Sequence, residues 1–199
     1  MLKKILLGAA VVFVAFLGFV ATRPSTFEIK RSTTVRAPAG VVYGLVADFH
    51  KVATWSPFMK PDPVRKDTYA GVPATVGHSV TWTSTDNSSE GKMTISSLKP
   101  PEQLQLQLDF VKPFEATNET VFRFEPAGED TRVTWVMSGQ NGFLGKAFSV
   151  FMDVDKMVGS DFEAGLATLK DLAEAEAKAS ATAAVSAAPN GAVATDTVK

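Results

Sequence analysis

The chain has 199 residues, 45% of them hydrophobic, which is enough for one domain with a sizeable core. Its net charge of −1, from 20 basic and 21 acidic residues, gives no basic surface of the kind that nucleic-acid-binding proteins use. The chain has no cysteine, which excludes disulfides, thiol catalysis and cysteine–metal sites, and only two histidines, His50 and His78. The sequence predicts neither a metal site nor a cofactor-binding module.

Residues 5–21 carry no charged side chain and almost no polar one. At about 1.5 Å per residue, this segment reaches the short end of what crosses a bilayer, so residues 1–22 are predicted to be a membrane anchor. A signal peptide is the alternative. An anchor is favoured because cleavage after Ala21 would place the bulky Phe19 where a small residue is preferred.

The charges around this segment predict its orientation. Lys3 and Lys4 precede it and favour a cytoplasmic N-terminus, although Arg23 and two further basic residues follow closely. We therefore expect a single-pass membrane protein whose globular part lies outside the cytoplasm, in the periplasm. Residues 23–26 are predicted to be a short linker.

The next segment predicts a strand, a helix and a loop. Phe27–Arg36 alternates well enough for a first strand, and Val41–Phe49 has apolar residues at helical spacing. Three prolines between positions 57 and 63 indicate an irregular, stiff loop after that helix. Trp55 and Phe58 on this loop either form a lid over a site or pack against the edge of the helix.

From Val80 to Ser138 the sequence repeats with period two between turn residues, which predicts consecutive antiparallel strands with one covered face. The clearest example is 103–110, where apolar residues alternate with glutamine and aspartate. These residues either fill a packed core or line a cavity, and methionine and aromatic side chains suit both roles. The large apolar residues predicted on the inner face are Trp82, Met93, Leu106, Phe110, Phe122, Trp135 and Met137.

Two polar residues share this inner face by parity, Asn118 and Thr120. A polar group that faces an apolar interior costs free energy unless it is hydrogen-bonded. The two side chains therefore either orient a ligand or contact an ordered water.

The segment 144–172 predicts two helices that cover the inner face. The first carries Phe151 in its apolar stripe, and the second carries Phe162 and Leu166. Gly159 is predicted to mark the break, because Ser160 and Glu163 have the spacing of a capping box at a helix start.

Asp155 lies in line with Phe151 in the first of these helical stripes. It either braces the predicted break at Gly159, which is the favoured interpretation, or is the one acid in a pocket, with a pKa raised by desolvation.

Residues 173–199 are rich in alanine and lack aromatic residues. The first part is expected to extend the last helix, and the part beyond about Ser180 is expected to be a disordered tail.

This order of elements is that of the helix-grip arrangement. With Ala37-Pro38, Trp55–Phe58, Asp109–Asn118 and Asp153–Lys170, it makes residues 27–172 similar to the START-like superfamily often labelled SRPBCC, and within it to the polyketide cyclase/dehydrase and lipid-transport family. The resemblance implies an α+β fold in which a curved antiparallel sheet grips a long C-terminal helix around an apolar cavity. Known members bind lipids, sterols, polyketides and other hydrophobic molecules, and a minority catalyse cyclisation or dehydration.

The leading hypothesis is a membrane-tethered module that binds or transports a small hydrophobic ligand, without a catalytic residue. The alternatives are a cyclase- or dehydratase-like enzyme that uses Asp155 with Asn118 or Thr120, and a protein-interaction domain with a filled interior. The residues predicted to contact the ligand are Trp55, Phe58, Trp82, Met93, Leu106, Phe110, Asn118, Thr120, Phe122, Trp135, Met137, Phe151, Asp155, Phe162 and Leu166.

Overall fold

The computed structural model describes residues 2–60 and 62–187. The chain forms five α-helices and seven β-strands within these ranges, with one 3-10 turn at Pro57–Met59. The helices are α1 (Leu2–Ala21), α2 (Ala39–Val46), α3 (Phe49–Trp55), α4 (Phe143–Phe151) and α5 (Val154–Ala187). The strands are β1 (Thr26–Val35), β2 (Arg65–Ala70), β3 (Ser79–Ser84), β4 (Glu90–Lys99), β5 (Gln103–Lys112), β6 (Ala116–Ala127) and β7 (Asp130–Gln140).

All seven strands form one antiparallel sheet in the order β1-β7-β6-β5-β4-β3-β2. Successive strands from β2 to β7 are neighbours, as short turns between period-two segments predict, and β1 closes on β7. Helix α5 packs along β1 on the inner face of the curved sheet. The predicted helix-grip fold is confirmed.

One half of the inner face is a filled core. Leu104, Phe124 and Val133 are almost completely buried there, beneath the side chains of Leu169 and Ala173 of α5. The helix buries residues 162, 166, 169 and 173, whereas Leu172, which the sequence placed in this stripe, is 36% exposed.

Two short elements differ from the prediction. The segment after α2 is a second helix, α3, because Asp48 accepts a hydrogen bond from the His50 backbone N–H at 2.9 Å and so caps a new helix start. Trp55 therefore ends a helix, and Phe58 lies in the 3-10 turn that follows it. Strand β2 was not predicted, because its sequence Arg65–Ala70 is mostly polar.

The predicted helix break at Gly159 is wrong. The chain breaks at Met152 and Asp153, where the Asp153 carboxylate accepts a hydrogen bond from the Lys156 N–H at 3.0 Å and caps α5. Ser160 does not cap, since its hydroxyl donates to the Met157 carbonyl at 2.7 Å inside the helix.

Gly159 has a different role, which is to make room for an arginine. The guanidinium of Arg31, from β1, lies against Gly159 so closely that a Cβ there would overlap it. In this position the Arg31 side chain reaches Glu163 at 2.7 Å and Asp155 at 3.0 Å. A second ion pair, Arg36 with Glu174 at 2.9 Å, joins the residue that follows β1 to the same helix.

Helix α5 runs to Ala187, seven residues beyond the point near Ser180 where the tail was predicted to begin. Alanine has the highest helix propensity, and the exposed side chains at 181–183 need no tertiary partner. The remainder of the predicted tail, residues 188–199, lies outside the described residues.

Helix α1 is long and apolar enough to cross a membrane. Most of its side chains are exposed. Contact of this apolar surface with water is unfavourable, whereas contact with the hydrocarbon of a bilayer is not.

Gly159→Ala tests the continuity of α5. Alanine is about 1 kcal/mol more favourable than glycine inside a helix, and the new Cβ would displace only the end of the flexible Arg31 side chain. We expect the free energy of unfolding to stay within about 1 kcal/mol of the parent in urea denaturation.

Gly71→Ala is the matched control. Gly71 has a φ of +82°, and a Cβ there would lie 3.0 Å from the His78 backbone, so this variant should be clearly destabilised. A large loss of stability from Gly159→Ala that persists in an Arg31→Ala background, where no guanidinium occupies this space, would contradict a continuous helix.

Candidate functional site: an apolar cavity under the last helix

The other half of the inner face encloses a cavity of about 340 Å³. This is the volume range of small-molecule sites, and most of its wall is apolar. Its wall consists of Val46, Val52, Trp55, Ser56, Phe58, Met59, Arg65, Val80, Trp82, Ser89, Met93, Leu106, Leu108, Phe110, Thr120, Phe122, Trp135, Met137, Val158 and Phe162.

Trp135 is the centre of an aromatic cluster in this wall. Its ring stacks on Phe162 of α5, with 3.9 Å between centroids and 9° between planes. Phe122 lies 4.9 Å away on the neighbouring strand, while Trp55 and Phe58 meet the indole edge-on at 5.7 and 6.0 Å. Such contacts fix each ring beyond simple burial, so this side of the cavity is preorganised.

The opposite wall is formed by Trp82 on β3. Gly91 lies directly across from it on β4, and any Cβ at this position would overlap the indole ring. The Arg65 guanidinium lies 5.3 Å from the Trp82 ring and is bonded to the Asp67 carboxylate at 2.6 Å. Arg65 is thereby held at the edge of the cavity with its charge already paired.

The three tryptophans of the chain differ in their hydrogen bonds. Trp55 Nε1 donates to the Leu45 carbonyl at 3.0 Å, and Trp82 Nε1 donates to Ser89 Oγ at 3.1 Å. Trp135 Nε1 is buried, and no acceptor among the described residues lies within reach. A buried donor without a partner costs about 1–3 kcal/mol, so this indole N–H is an unsatisfied polar group next to the cavity.

Eleven of the residues predicted to contact a ligand lie in this wall. They are Trp55, Phe58, Trp82, Met93, Leu106, Phe110, Thr120, Phe122, Trp135, Met137 and Phe162. For the residues on strands, the period-two pattern in the sequence was sufficient to predict that they share this wall. Their role in binding stays a prediction.

Other wall residues were missed for different reasons. Leu108 and Val80 share the parity of their predicted neighbours, and this signal was available in the sequence. Val52 and Met59 depend on α3 and the 3-10 turn, which the sequence pattern did not reveal.

Asp155 lies outside the cavity. Its side chain is 58% exposed and is held by Arg31, whose hydrogen bonds lower the pKa of Asp155 below that of a free aspartate. The alternative interpretation, an acid with a raised pKa, is therefore wrong, because hydrogen bonds from the facing Arg31 guanidinium outweigh desolvation at this carboxylate. Asp155 ties the start of α5 to β1, which is close to the bracing role favoured from sequence.

Three further predicted residues are also absent from the wall. Phe151 is 76% exposed at the end of α4, because the chain bends between α4 and α5 and the two stripes do not continue into each other. Leu166 is buried in the filled half of the interior. Asn118 is half-buried beside Gly139 near the start of β6, where its carbonyl oxygen occupies the space a larger residue at 139 would need.

The fold brings Asp48, His50 and His78 together, with possible ligand atoms within 4.8 Å of one another. Hydrogen bonds account for this arrangement. His78 Nε2 accepts from the Phe49 N–H at 3.4 Å while Nδ1 faces the Ala70 carbonyl at 3.1 Å, so both ring nitrogens are engaged. We assign the cluster to fixing the start of α3 on the sheet.

A seven-stranded sheet that grips a C-terminal helix over an apolar cavity defines a helix-grip domain built to enclose a hydrophobic molecule. The family description "Polyketide cyclase / dehydrase and lipid transport" matches residues 26–174, and the chain belongs to this family. The family and the cavity together support a domain that binds hydrophobic ligands. The chain matches no curated protein.

Solved structures share this fold at low sequence identity. Protein CV1439 from Chromobacterium violaceum is 17% identical, with a TM-score of 0.54 over 76% of this chain and 98% of that one. The Mll3558 protein from Rhizobium loti is 16% identical, with a TM-score of 0.55 over 73% and 96%. Major latex-like protein 151 from Panax ginseng is 15% identical, with a TM-score of 0.51 over 77% and 99%.

A matched pair of leucines on β5 tests the division between core and cavity. Leu104 is fully buried in the filled half, so Leu104→Ala should cost about 2–5 kcal/mol of unfolding free energy. Leu108 is half-buried at the cavity wall, where its truncation creates no new enclosed void. Leu108→Ala should therefore cost much less, as measured by urea unfolding of the full chain in micelles. Equal losses would mean that the cavity region is packed like the core.

Proposed function

We propose that this protein is tethered to a membrane by α1 and binds a small hydrophobic ligand, lipid- or polyketide-like, in the cavity under α5. The observation that carries the proposal is an apolar cavity of about 340 Å³ in a domain of this family. Filling it with a ligand would remove from water the half-buried Met93, Phe110 and Met137 in its wall.

Binding is favoured over catalysis by the chemistry of the wall. Among the described residues that line the cavity, Arg65 is the one titratable side chain, and it is engaged by Asp67 and the Phe58 carbonyl. General acid–base catalysis needs a proton donor or acceptor within hydrogen-bond reach of the substrate. Asp155, the candidate acid, is on the outer side of α5 and is paired with Arg31.

Trp135 gives the ligand one further property. Its Nε1–H is buried and unpaired, and a ligand oxygen that reaches it after a shift of the wall side chains would gain a hydrogen bond, which favours a ligand with a carbonyl or hydroxyl oxygen on an otherwise apolar body. Thr120, buried 97% in the same wall and opposite Met137 in the sheet, adds a hydroxyl to this side of the cavity.

Native mass spectrometry of the full chain, released from micelles after purification from membranes, tests the binding proposal. We expect a co-purified small hydrophobic molecule that organic solvent extracts. The proposal fails if a protein with a native circular dichroism spectrum neither carries such a molecule nor takes up a long-chain methyl ketone.

Trp135→Phe tests whether an acceptor oxygen of the ligand bonds to the Trp135 indole N–H. This change keeps an aromatic ring on Phe162 but removes the N–H, so affinity for the methyl ketone should fall about tenfold, the value of one buried hydrogen bond. Affinity for the alkane of equal length should stay the same. A parallel loss for both probes would show that Trp135 acts by shape alone.

The orientation of the tether is the second part of the proposal. Lys3 and Lys4 directly precede the uncharged stretch 5–21, whereas Arg23 and Lys30 follow it and Arg31 is paired with Asp155 and Glu163. The leading lysine pair supports a cytoplasmic N-terminus and a periplasmic domain, because the free basic side chains that follow do not outnumber it.

The absence of native cysteine makes the orientation directly measurable. Glu129→Cys, in the exposed β6–β7 turn, should react in intact cells with a thiol reagent that does not cross the inner membrane. Reaction only after the inner membrane is broken would place the domain in the cytoplasm.

A further inference from the structure

The anchor joins the domain at one end of the sheet. Thr26, the first residue of β1, pairs with Gln140 at the end of β7, and Asn118 near the start of β6 pairs with Gly139 beside it. The β5–β6 turn and the connection into α4 therefore lie at the same end of the sheet as the anchor. We call this the anchor-side end.

Exposed aromatic side chains concentrate at this end. Outside α1, the described phenylalanines that are at least half exposed are Phe114 (68%), Phe143 (50%), Phe148 (52%) and Phe151 (76%). The first lies in the β5–β6 turn, and the other three belong to α4, whose one charged residue is Lys146. Water disfavours such a surface, and a cluster of this kind marks an interaction site.

The contact between the anchor and this surface indicates that the bilayer covers it. Helix α1 contacts α4, where the Phe16 and Phe151 rings lie 5.8 Å apart. Phe16 is five residues from the end of α1 at Ala21, or about 7.5 Å along its axis. Interfacial helices bury their apolar face about 5–10 Å into the boundary between headgroups and acyl chains, so α4 lies at the depth expected of one.

The connection between anchor and domain leaves little freedom. Four residues, 22–25, separate α1 from β1, and the Arg23 N–H still donates to the Val20 carbonyl at 3.1 Å. The Ser25 carbonyl accepts from the Asn141 N–H at 2.8 Å, which joins this linker to the segment that starts α4. A bilayer that holds α1 therefore also meets α4.

The cavity opens toward the same end. Along β5, Leu104 is fully buried, Leu106 is 3% exposed, and Leu108 and Phe110 are half-buried as the strand approaches the anchor side. Met137 near the end of β7 is likewise half-buried in the wall. Along β5, the wall is therefore less enclosed near the anchor-side end than in the filled core.

We infer that the exposed face of α4 and the β5–β6 turn lie in the bilayer interface, and that a ligand passes between the bilayer and the cavity at this end. The inference rests on the proposed tether and adds where the domain sits and which way its cavity faces. A ligand that moves this way leaves the lipid without crossing bulk water.

Single cysteines carrying an environment-sensitive fluorophore test the position of the domain in vesicles that contain bromine-labelled phosphatidylcholine. Phe114→Cys and Phe148→Cys should lose fluorescence to the bromine quencher, and so should Val12→Cys inside α1. Glu129→Cys, in the turn at the opposite end of the sheet, should not.

The Val12 label separates the two proposals. If it escapes quenching, the tether fails, and the inference fails with it. If Val12 is quenched while positions 114 and 148 behave like position 129, the tether stands and the interfacial position is wrong.

Transfer kinetics test the direction of the opening. The double variant Phe114→Ser/Phe148→Ser should take up a pyrene-labelled fatty acid from phosphatidylcholine vesicles several-fold more slowly, with unchanged affinity for the same probe supplied in micelles. Val72→Ser, which removes a 66% exposed valine from the β2–β3 connection at the other end, should leave the rate unchanged. Equal rates for the double variant and the parent would overturn the proposed passage.

Discussion

The stacking of Phe162 on Trp135 joins the last helix to the sheet, and the arrangement of the interior depends on it. The two rings are almost parallel at 3.9 Å, which sets both the distance and the rotation of α5 above β7. On one side of this contact the helix descends onto the core through Leu166 and Leu169. On the other side it leaves Val158 at the rim of a cavity. A single inner face therefore supplies both the stability of the domain and the cavity proposed to bind a ligand.

Charge is kept away from this interior by a small number of ion pairs. Arg31 has the same strand parity as Trp135, with which it is paired in the sheet, and would otherwise point a cation toward apolar surroundings. Gly159 allows it to cross beneath α5 and reach Asp155 and Glu163 on the outer side. These exposed pairs stabilise the fold only weakly, but they position the helix while leaving the cavity wall apolar. The one unsatisfied donor among the described residues of the aromatic wall, Trp135 Nε1, is buried behind this apolar surface.

The anchor completes this arrangement in the proposed function. Helix α1 and helix α4 contact each other at the end of the sheet where the cavity is least enclosed. In a freely diffusing domain, the exposed apolar face of α4 would favour aggregation. Next to a membrane-spanning α1, the same face would lie in the bilayer interface. The same end of the molecule would hold the protein on the bilayer and receive the ligand from it.

The sequence by itself determined which residues face inward, because the side chains of a strand alternate and the apolar ones must share a covered face. It also determined the apolar first helix, since this property depends only on consecutive residues. Parity could not separate Leu104, in the core, from Leu108, in the cavity wall, because the two have the same residue type, face and strand. Only the tertiary structure decided this, through the height at which α5 lies above each part of the sheet. The same holds for Asp155, whose partner Arg31 is 124 positions away in the chain, so that no local pattern could reveal a pairing that the packing of α5 on β1 creates.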